Sequence, residues 1–174
     1  MNKIYLILMH TYTIPSRVIR FVTMYPYSHV GLSLEKECNT IYSFGRKKVS
    51  SILDCGFVIE HKHGEFFHKF NNTKCKIYEL DVDEEQYKEL KKILDDMEIN
   101  AENYKYDFTG IIPRFLGIPI TTKSKYVCSY FVADVLEKTG IYKFNKQVCF
   151  IKPKDFEYLG IGNEVYSGYY NLYE

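Results

Sequence analysis

The chain has no tryptophan, almost no net charge, no long apolar run and no cysteines paired at short spacing. Each absence narrows what it can be. A formal net charge of +1 over 174 residues excludes the strongly basic balance of a nucleic-acid-binding protein, which needs clustered lysine and arginine against phosphate. Arg46-Lys47-Lys48 is too short for such a stripe and reads as a solvated turn. No stretch approaches the roughly 18 apolar residues of a membrane helix. Met1 to Met9 is apolar after one lysine, but it runs into His10-Thr11-Tyr12-Thr13 without a small-residue cleavage site, so a first strand is expected rather than a signal peptide.

The five cysteines are Cys38, Cys55, Cys75, Cys128 and Cys149. An odd number without short paired spacings argues against a disulfide framework and a structural zinc site. A reduced, cytoplasmic setting is the simpler expectation. His61, His63 and His68 lie in a charged stretch where no thiol or carboxylate completes a ligand set, so neither a metal nor a cofactor is expected. Repeats, linkers and low-complexity tracts are missing too, and 174 residues would hardly fill a second core. One domain over residues 1–174 is expected.

What is present is a globule rich in aromatics, with 17 Tyr and 12 Phe, which we read mainly as packing and secondarily as a possible apolar substrate groove. Ile4 to Met9 reads as a buried strand. Pro15 suits the first turn of a helix with Val18, Ile19, Phe21 and Val22 on its apolar face, ended by Pro26. Val30 to Leu34 and Thr40 to Phe44 form a predicted hairpin, and Gly56 to Glu60 and Lys76 to Val82 are further strands. Asp83 and Gln86 make a capping box for a helix that turns Tyr87, Leu90, Leu94 and Met97 to the core. A short helix is predicted over Tyr106 to Leu116, interrupted by Pro113, and a longer one over Tyr126 to Lys138, stopped by Gly140. Gln147 to Ile151 resembles a short strand, Pro153 to Tyr158 a turn or single helical turn, and Gly160 to Glu174 an irregular edge. Strands toward both ends with helices between them predict an α+β domain with a mainly antiparallel sheet packed against helices.

Two segments carry chemistry. Lys125-Tyr126-Val127-Cys128-Ser129-Tyr130-Phe131-Val132 places a cysteine in the first turn of a helix. Unpaired N–H groups and the helix dipole there favour a thiolate, and the same groups can hold the oxyanion of a tetrahedral intermediate. Taken alone, Cys128 reads more readily as a small buried hydrophobe. Ser28-His29-Val30-Gly31-Leu32-Ser33-Leu34 opens a strand with a histidine, and Gly31, two residues on, is expected to leave room above the sheet. An imidazole on a strand facing a thiol on a helix meets the requirement for nucleophile activation.

Together, a strand reading His-Val-Gly-Leu-Ser-Leu early in the chain and a helix opening Cys-Ser-Tyr-Phe-Val late in it resemble the circularly permuted branch of the NlpC/P60 papain-like superfamily. That branch includes the YiiX-type amidases and is related to lecithin:retinol acyltransferase. The likeness covers Tyr27 to Thr139. It implies Cys128 as nucleophile, His29 as general base, and Tyr106, in Tyr106-Asp107-Phe108-Thr109-Gly110, as a residue lining the oxyanion hole or substrate site. The family carries a polar residue on the next strand to orient the imidazole. Here that strand reads Thr40-Ile41-Tyr42-Ser43-Phe44-Gly45-Arg46, without carboxylate, amide or imidazole at the expected place. Ser43 is the candidate orienter and Tyr42 its competitor, since a shift of one residue exchanges the side chain that points inward.

The expected activity is that of a thiol hydrolase (an amidase or thiol protease) or an acyltransferase, acting through a thioacyl intermediate on a small peptide, lipid-amide or acyl substrate. The alternative is a degenerate papain-like fold used for binding, which the lack of a stronger third residue would suit.

Overall fold

A computed structural model describes residues 1–11, 25–51 and 53–174. The helix expected after Pro15 lies outside the described residues. An eight-stranded sheet carries the fold. Its strands are β1 (Asn2–His10), β2 (His29–Ser33), β3 (Thr40–Arg46), β4 (Cys55–His61), β5 (Lys74–Val82), β6 (Lys105–Tyr106), β7 (Lys125–Tyr126) and β8 (Asn163–Tyr169), in spatial order β7-β6-β4-β3-β2-β1-β5-β8. Among the described residues five α-helices accompany it: α1 (Glu65–Lys69), α2 (Glu84–Ile99), α3 (Ile111–Phe115), α4 (Cys128–Lys138) and α5 (Pro153–Tyr158). The class is α+β, with a curled sheet. The sheet is mixed rather than wholly antiparallel, because β6 and β7 at one edge run parallel, pairing Lys105 with Lys125 and Tyr106 with Tyr126.

β1 sits near the middle of the sheet, paired along its length with β5 and with β2. Its two faces explain why the run from Ile4 to Met9 does not alternate with polar residues. Ile4, Leu6 and Leu8 join the larger core, which includes Leu90, Leu94, Phe131, Val132 and Leu136 from α2 and α4. Tyr5, Ile7 and Met9 join a smaller core on the opposite face with Ile41, Cys75, Ile77 and Tyr170. A strand covered on both sides must be apolar throughout.

α2 begins as its sequence demands. The Asp83 carboxylate accepts from the Gln86 N–H at 2.8 Å, and the Gln86 side chain accepts from the Asp83 N–H at 3.0 Å. Leu90, Leu94 and Met97 are buried, as their spacing predicts.

Elsewhere the chain departs from its local pattern. The helix predicted over Tyr106 to Leu116 shrinks to five residues, because Tyr106 is drawn into β6 and the Asp107 carboxylate accepts from the Gly110 N–H at 2.9 Å to form a turn first. Pro113 then falls within the first turn of α3, where its missing N–H costs nothing. The helix predicted from Tyr126 begins two residues later, since Tyr126 belongs to β7 and Val127 is an extended N-cap. Gln147 to Ile151 is a 3₁₀ turn over Val148–Phe150 rather than a strand. The Ser129 hydroxyl holds the Ile151 carbonyl at 2.6 Å, which a strand would need for its ladder. The expected irregular tail contains β8, antiparallel to β5 with an irregularity between Ile77 and Tyr78. Helix α1 has no counterpart in the sequence reading.

Gly31 is needed for a different reason from the one expected. A Cβ there would stand 2.4 Å from Ile41 Cγ2 and 3.0 Å from the Tyr42 carbonyl oxygen. It permits β2 and β3 to close on each other, and no room is left above it. Gly31→Ala is expected to destabilise the fold by about 1–3 kcal/mol in chemical denaturation. The loss should shrink in an Ile41→Ala background, and equal losses in both backgrounds would refute the contact as the cause.

Candidate active site

Cys128 is the first residue of α4, after the extended Val127. The first intrahelical bond runs from the Phe131 N–H to the Val127 carbonyl at 3.0 Å, so the N–H groups of residues 128–130 point out of the helix end. The backbone N–H groups of Ser129 and Val30 and the His29 ring lie close enough to stabilise the sulfur as an anion. Cys128 is 6% exposed, so an anion here depends on those partners rather than on water.

His29 opens β2 beside Met9 of β1. Its Nε2 stands 3.1 Å from Ser43 Oγ and 3.4 Å from Glu60 Oε2. Ser43 donates its one hydroxyl proton to the Val30 carbonyl at 2.8 Å. Its lone pairs therefore face the ring, and Nε2 must be the donor. That assigns the neutral tautomer as Nε2–H and leaves Nδ1 for the thiol. The proton on one nitrogen is set by the partner of the other.

The electrostatics follow. Burial opposes charge on His29, but the Cys128 thiolate, by charge and hydrogen bond, and then Glu60 outweigh it and lift the imidazole from its usual 6.5 to about 10. Burial likewise pushes the Cys128 thiol up, and His29 together with the Val30 and Ser129 N–H groups overcomes this, leaving it below its ordinary value. The other thiols move the opposite way. Burial raises Cys38 and Cys75 to about 12, and raises Cys55 and Cys149 as well. Of five cysteines, one is poised as a thiolate.

Tyr42 does not compete for the histidine. It packs on the larger core, stacked on Phe57 with ring centroids 6.4 Å apart. Ser43 lies on the other face, with Ile41 and Gly45, as alternation requires. Tyr106 stands at the site. Its phenol is held protonated chiefly by burial, and next by the charge of Cys128. Its ring lies tilted against Phe108 with centroids 4.8 Å apart.

Glu60 is the residue that sequence reasoning missed. The sequence pattern places the third group on the strand next to the histidine, whereas Glu60 lies one strand further, on β4. A signal was available. In the β3–β4 register Ser43 faces Val58 and Ile41 faces Glu60, so Glu60 shares the face of Ser43. Its side chain is 8% exposed, and a carboxylate is rarely buried on a strand face without a partner. Gly45 lies beside both groups: a Cβ there would make ordinary contacts with His29 Cε1 at 3.7 Å and Glu60 Oε1 at 3.9 Å. His61 ends β4, His63 lies in the following turn and His68 in α1. Among the described residues, no group of three or more His, Cys, Asp or Glu is placed to hold a metal ion.

No protein-family model matches this chain, and no curated protein matches it. No helix among the described residues is long and apolar enough to cross a membrane.

The ion pair has a definite pH signature. Between the usual values of 6.5 for histidine and 9.0 for cysteine, the unfolded chain holds one proton on sulfur and the folded chain one on the imidazole. The counts are equal, so the pair's contribution to stability is flat. Above pH 9.0 the unfolded thiol loses its proton while His29 keeps its own to about 10, and stability falls. Below 6.5 the unfolded histidine gains a proton that the folded pair has no place for, and stability falls again. The difference in melting temperature between the native chain and Cys128→Ser is expected to plateau between these limits. A steady decline across them would show a folded site holding two protons, a neutral thiol beside an imidazolium, instead.

Ser43 and Glu60 are separable by titrating the His29 Cε1–H resonance. Glu60→Gln is expected to lower the imidazole's pKa, because it removes an anion that stabilises the cation. Ser43→Ala should leave the ring charge nearly unchanged and broaden its orientation. Equal titrations in all three proteins would remove Glu60 from the site.

Proposed function

We propose that this chain is a cysteine-dependent hydrolase or acyltransferase of the permuted NlpC/P60 papain-like type, acting on an amide, peptide or acyl bond. The observation that carries the reading is the Cys128–His29 pair. A thiol at a helix start is lowered while four others rise, and it faces an imidazole whose far nitrogen is held by Ser43 and Glu60. The order of the two residues, histidine strand first and cysteine helix second, supports the permuted type.

In this reading the Cys128 thiolate attacks the carbonyl carbon, forming a C–S bond as the carbonyl π pair moves to oxygen. The Cys128 N–H, at the first helical position, and the Tyr106 hydroxyl are the donors assigned to that oxyanion. The tetrahedral intermediate collapses, the bond to the leaving amine, alcohol or thiol breaks, and the proton on His29 Nδ1 goes to the leaving group. Water or an amine then attacks the thioester and gives a proton to Nδ1. The C–S bond breaks, returning the thiolate and imidazolium. Ser43 and Glu60 touch no reacting atom and are positioning residues. Ser43 fixes the tautomer, and Glu60 stabilises the ring when it is charged.

The competing reading, a papain-like remnant used for binding, drew its support from the missing polar group on the strand after the histidine. A hydroxyl and a carboxylate at Nε2 supply that role from two strands. The reaction itself favours neither water nor an amine as acceptor.

Iodoacetamide labelling followed by peptide mass mapping tests the pair. Cys128 is expected to be alkylated first at pH 7, with a flat rate between pH 7 and 9. His29→Ala should slow it about tenfold, since the thiolate fraction falls about a hundredfold while the less acidic thiolate is intrinsically more nucleophilic. Labelling of Cys128 no faster than of Cys55 would overturn the activated nucleophile. A normal rate with no thioacyl adduct from any p-nitrophenyl ester or acyl-amide substrate offered would point to the binding module.

A further inference from the structure

The segment from Phe108 to Ile118 exposes an unusual amount of apolar side chain. Ile112 and Leu116 are each 71% exposed and Phe115 60%, and Phe108, Ile111 and Ile118 are also open to solvent. Scattered exposed apolar residues are ordinary, but a contiguous set marks an interaction surface.

The segment is held in this shape. Arg114, itself buried, donates from Nη2 to the Asp107 carboxylate at 2.5 Å and to the Ile120 carbonyl at 2.8 Å, with Nε adding a bond to the same carbonyl at 3.0 Å. The Ile118 N–H returns to the Pro113 carbonyl at 2.9 Å, and Gly117 takes the left-handed φ of +79° that the reversal needs. The clamp turns the polar member of α3 inward and its apolar members outward. The arrangement is the reverse of a helix that packs on a core.

Charge indicates what the surface meets. From Phe108 to Ala133 the chain holds no carboxylate; Arg114 is neutralised by Asp107, and Lys123 and Lys125 remain. Lys123 and Lys125 are exposed, and the Lys152 ammonium stands 5.1 Å from the Phe115 ring centre. Asp155, the acid near Lys152, is already engaged by Lys146 at 2.7 Å. Apolar tips beside Lys152, with Lys123 and Lys125 exposed further along the same carboxylate-free stretch, suit the interface of an anionic bilayer, where the tips enter the acyl boundary and the lysines meet headgroup phosphates.

We propose that the Phe108–Ile118 segment, with Lys123, Lys125 and Lys152, is a docking surface for anionic lipid membranes. The surface starts at the lip of the candidate site, because Phe108 packs against Tyr106 and Tyr106 stands beside Cys128. The chain would sit on the bilayer with Cys128 near the headgroup plane. This goes beyond the proposed chemistry and does not depend on it.

Co-sedimentation of the full chain with vesicles tests it, using phosphatidylcholine alone and phosphatidylcholine with phosphatidylserine. Binding is expected to the anionic vesicles and to weaken with salt. The exposed changes Ile112→Asp and Phe115→Asp together should reduce it at least tenfold, and Lys123→Glu or Lys152→Glu by about fivefold or more each. Melting temperature and the Cys128 alkylation rate should be unchanged in these variants. They report the fold and the thiol separately from the docking. No binding to anionic vesicles at low salt, or binding that the Asp variants leave intact, overturns the proposal. So does a concentration-dependent dimer in sedimentation velocity that the Asp variants abolish, which would assign the surface to a second copy of this chain.

Discussion

Cys128 is 6% exposed, so its thiolate form cannot rely on water, and the rest of the site follows from that constraint. The cost of burying an unpaired ion is several kcal/mol even after relaxation. Here the anion is met by one cation and by backbone N–H groups from two separate elements, α4 and β2. Those elements are nearly a hundred residues apart along the chain, so the pair exists only where the helix start is pressed against the first residues of the strand. The apolar residues behind Cys128, from Phe131 to Leu136, are buried against the sheet and hold it there. The core thus positions the chemistry: a shift of α4 by one turn would carry the sulfur about 5 Å from its partners.

The cation has its own requirement. An imidazole between a thiolate and a carboxylate is stabilised as imidazolium, but charge alone would not decide which nitrogen faces which neighbour. Ser43 decides it, because its single proton is committed to the Val30 carbonyl. Orientation and charge are thus divided between two residues on two strands. A single carboxylate on the strand beside the histidine could do both. Here the nearer strand supplies a neutral acceptor at 3.1 Å and the farther one a charge at 3.4 Å. At the longer distance a directional bond is weak, while Coulomb attraction declines slowly, so the division matches each contact to its range.

Much of this was legible in the sequence, for identifiable reasons. The central strand, the hairpin from β2 to β3, and α2 with its capping box each rest on local pattern or on side chains three or four residues apart. Cys128 and His29 stand out because each opens an element, and Ser43 because it lies on a face that alternation defines. What escaped depends on pairings distant in the chain. Tyr106 and Tyr126 read as helical until each is seen to complete a two-residue parallel ladder with the other. β8 reads as irregular because its apolar face is earned only against β5. Glu60 reads as the polar end of a strand, since nothing in Cys-Gly-Phe-Val-Ile-Glu-His reveals that its carboxylate reaches across the neighbouring strand to a histidine one strand further on.

The late start of α4 shows how such errors bear on function. Had the helix begun at Tyr126, Cys128 would lie inside the first turn with its sulfur set back from the helix end. The competition that ends the helix early is the pairing of Tyr126 with Tyr106 in the β6–β7 ladder, aided by the Tyr126 hydroxyl bond to Asp134 at 2.8 Å. The ladder therefore acts on both sides of the site at once. It makes Val127 the extended N-cap, which brings Cys128 to the first helical position and its N–H groups to the sulfur, and it carries Tyr106 alongside. Asp107 follows directly in the chain, and its carboxylate anchors Arg114 and so the exposed segment beyond. Two short strands at the edge of the sheet thereby couple the thiol, the phenol beside it and the apolar surface at the lip, although each strand is only two residues long.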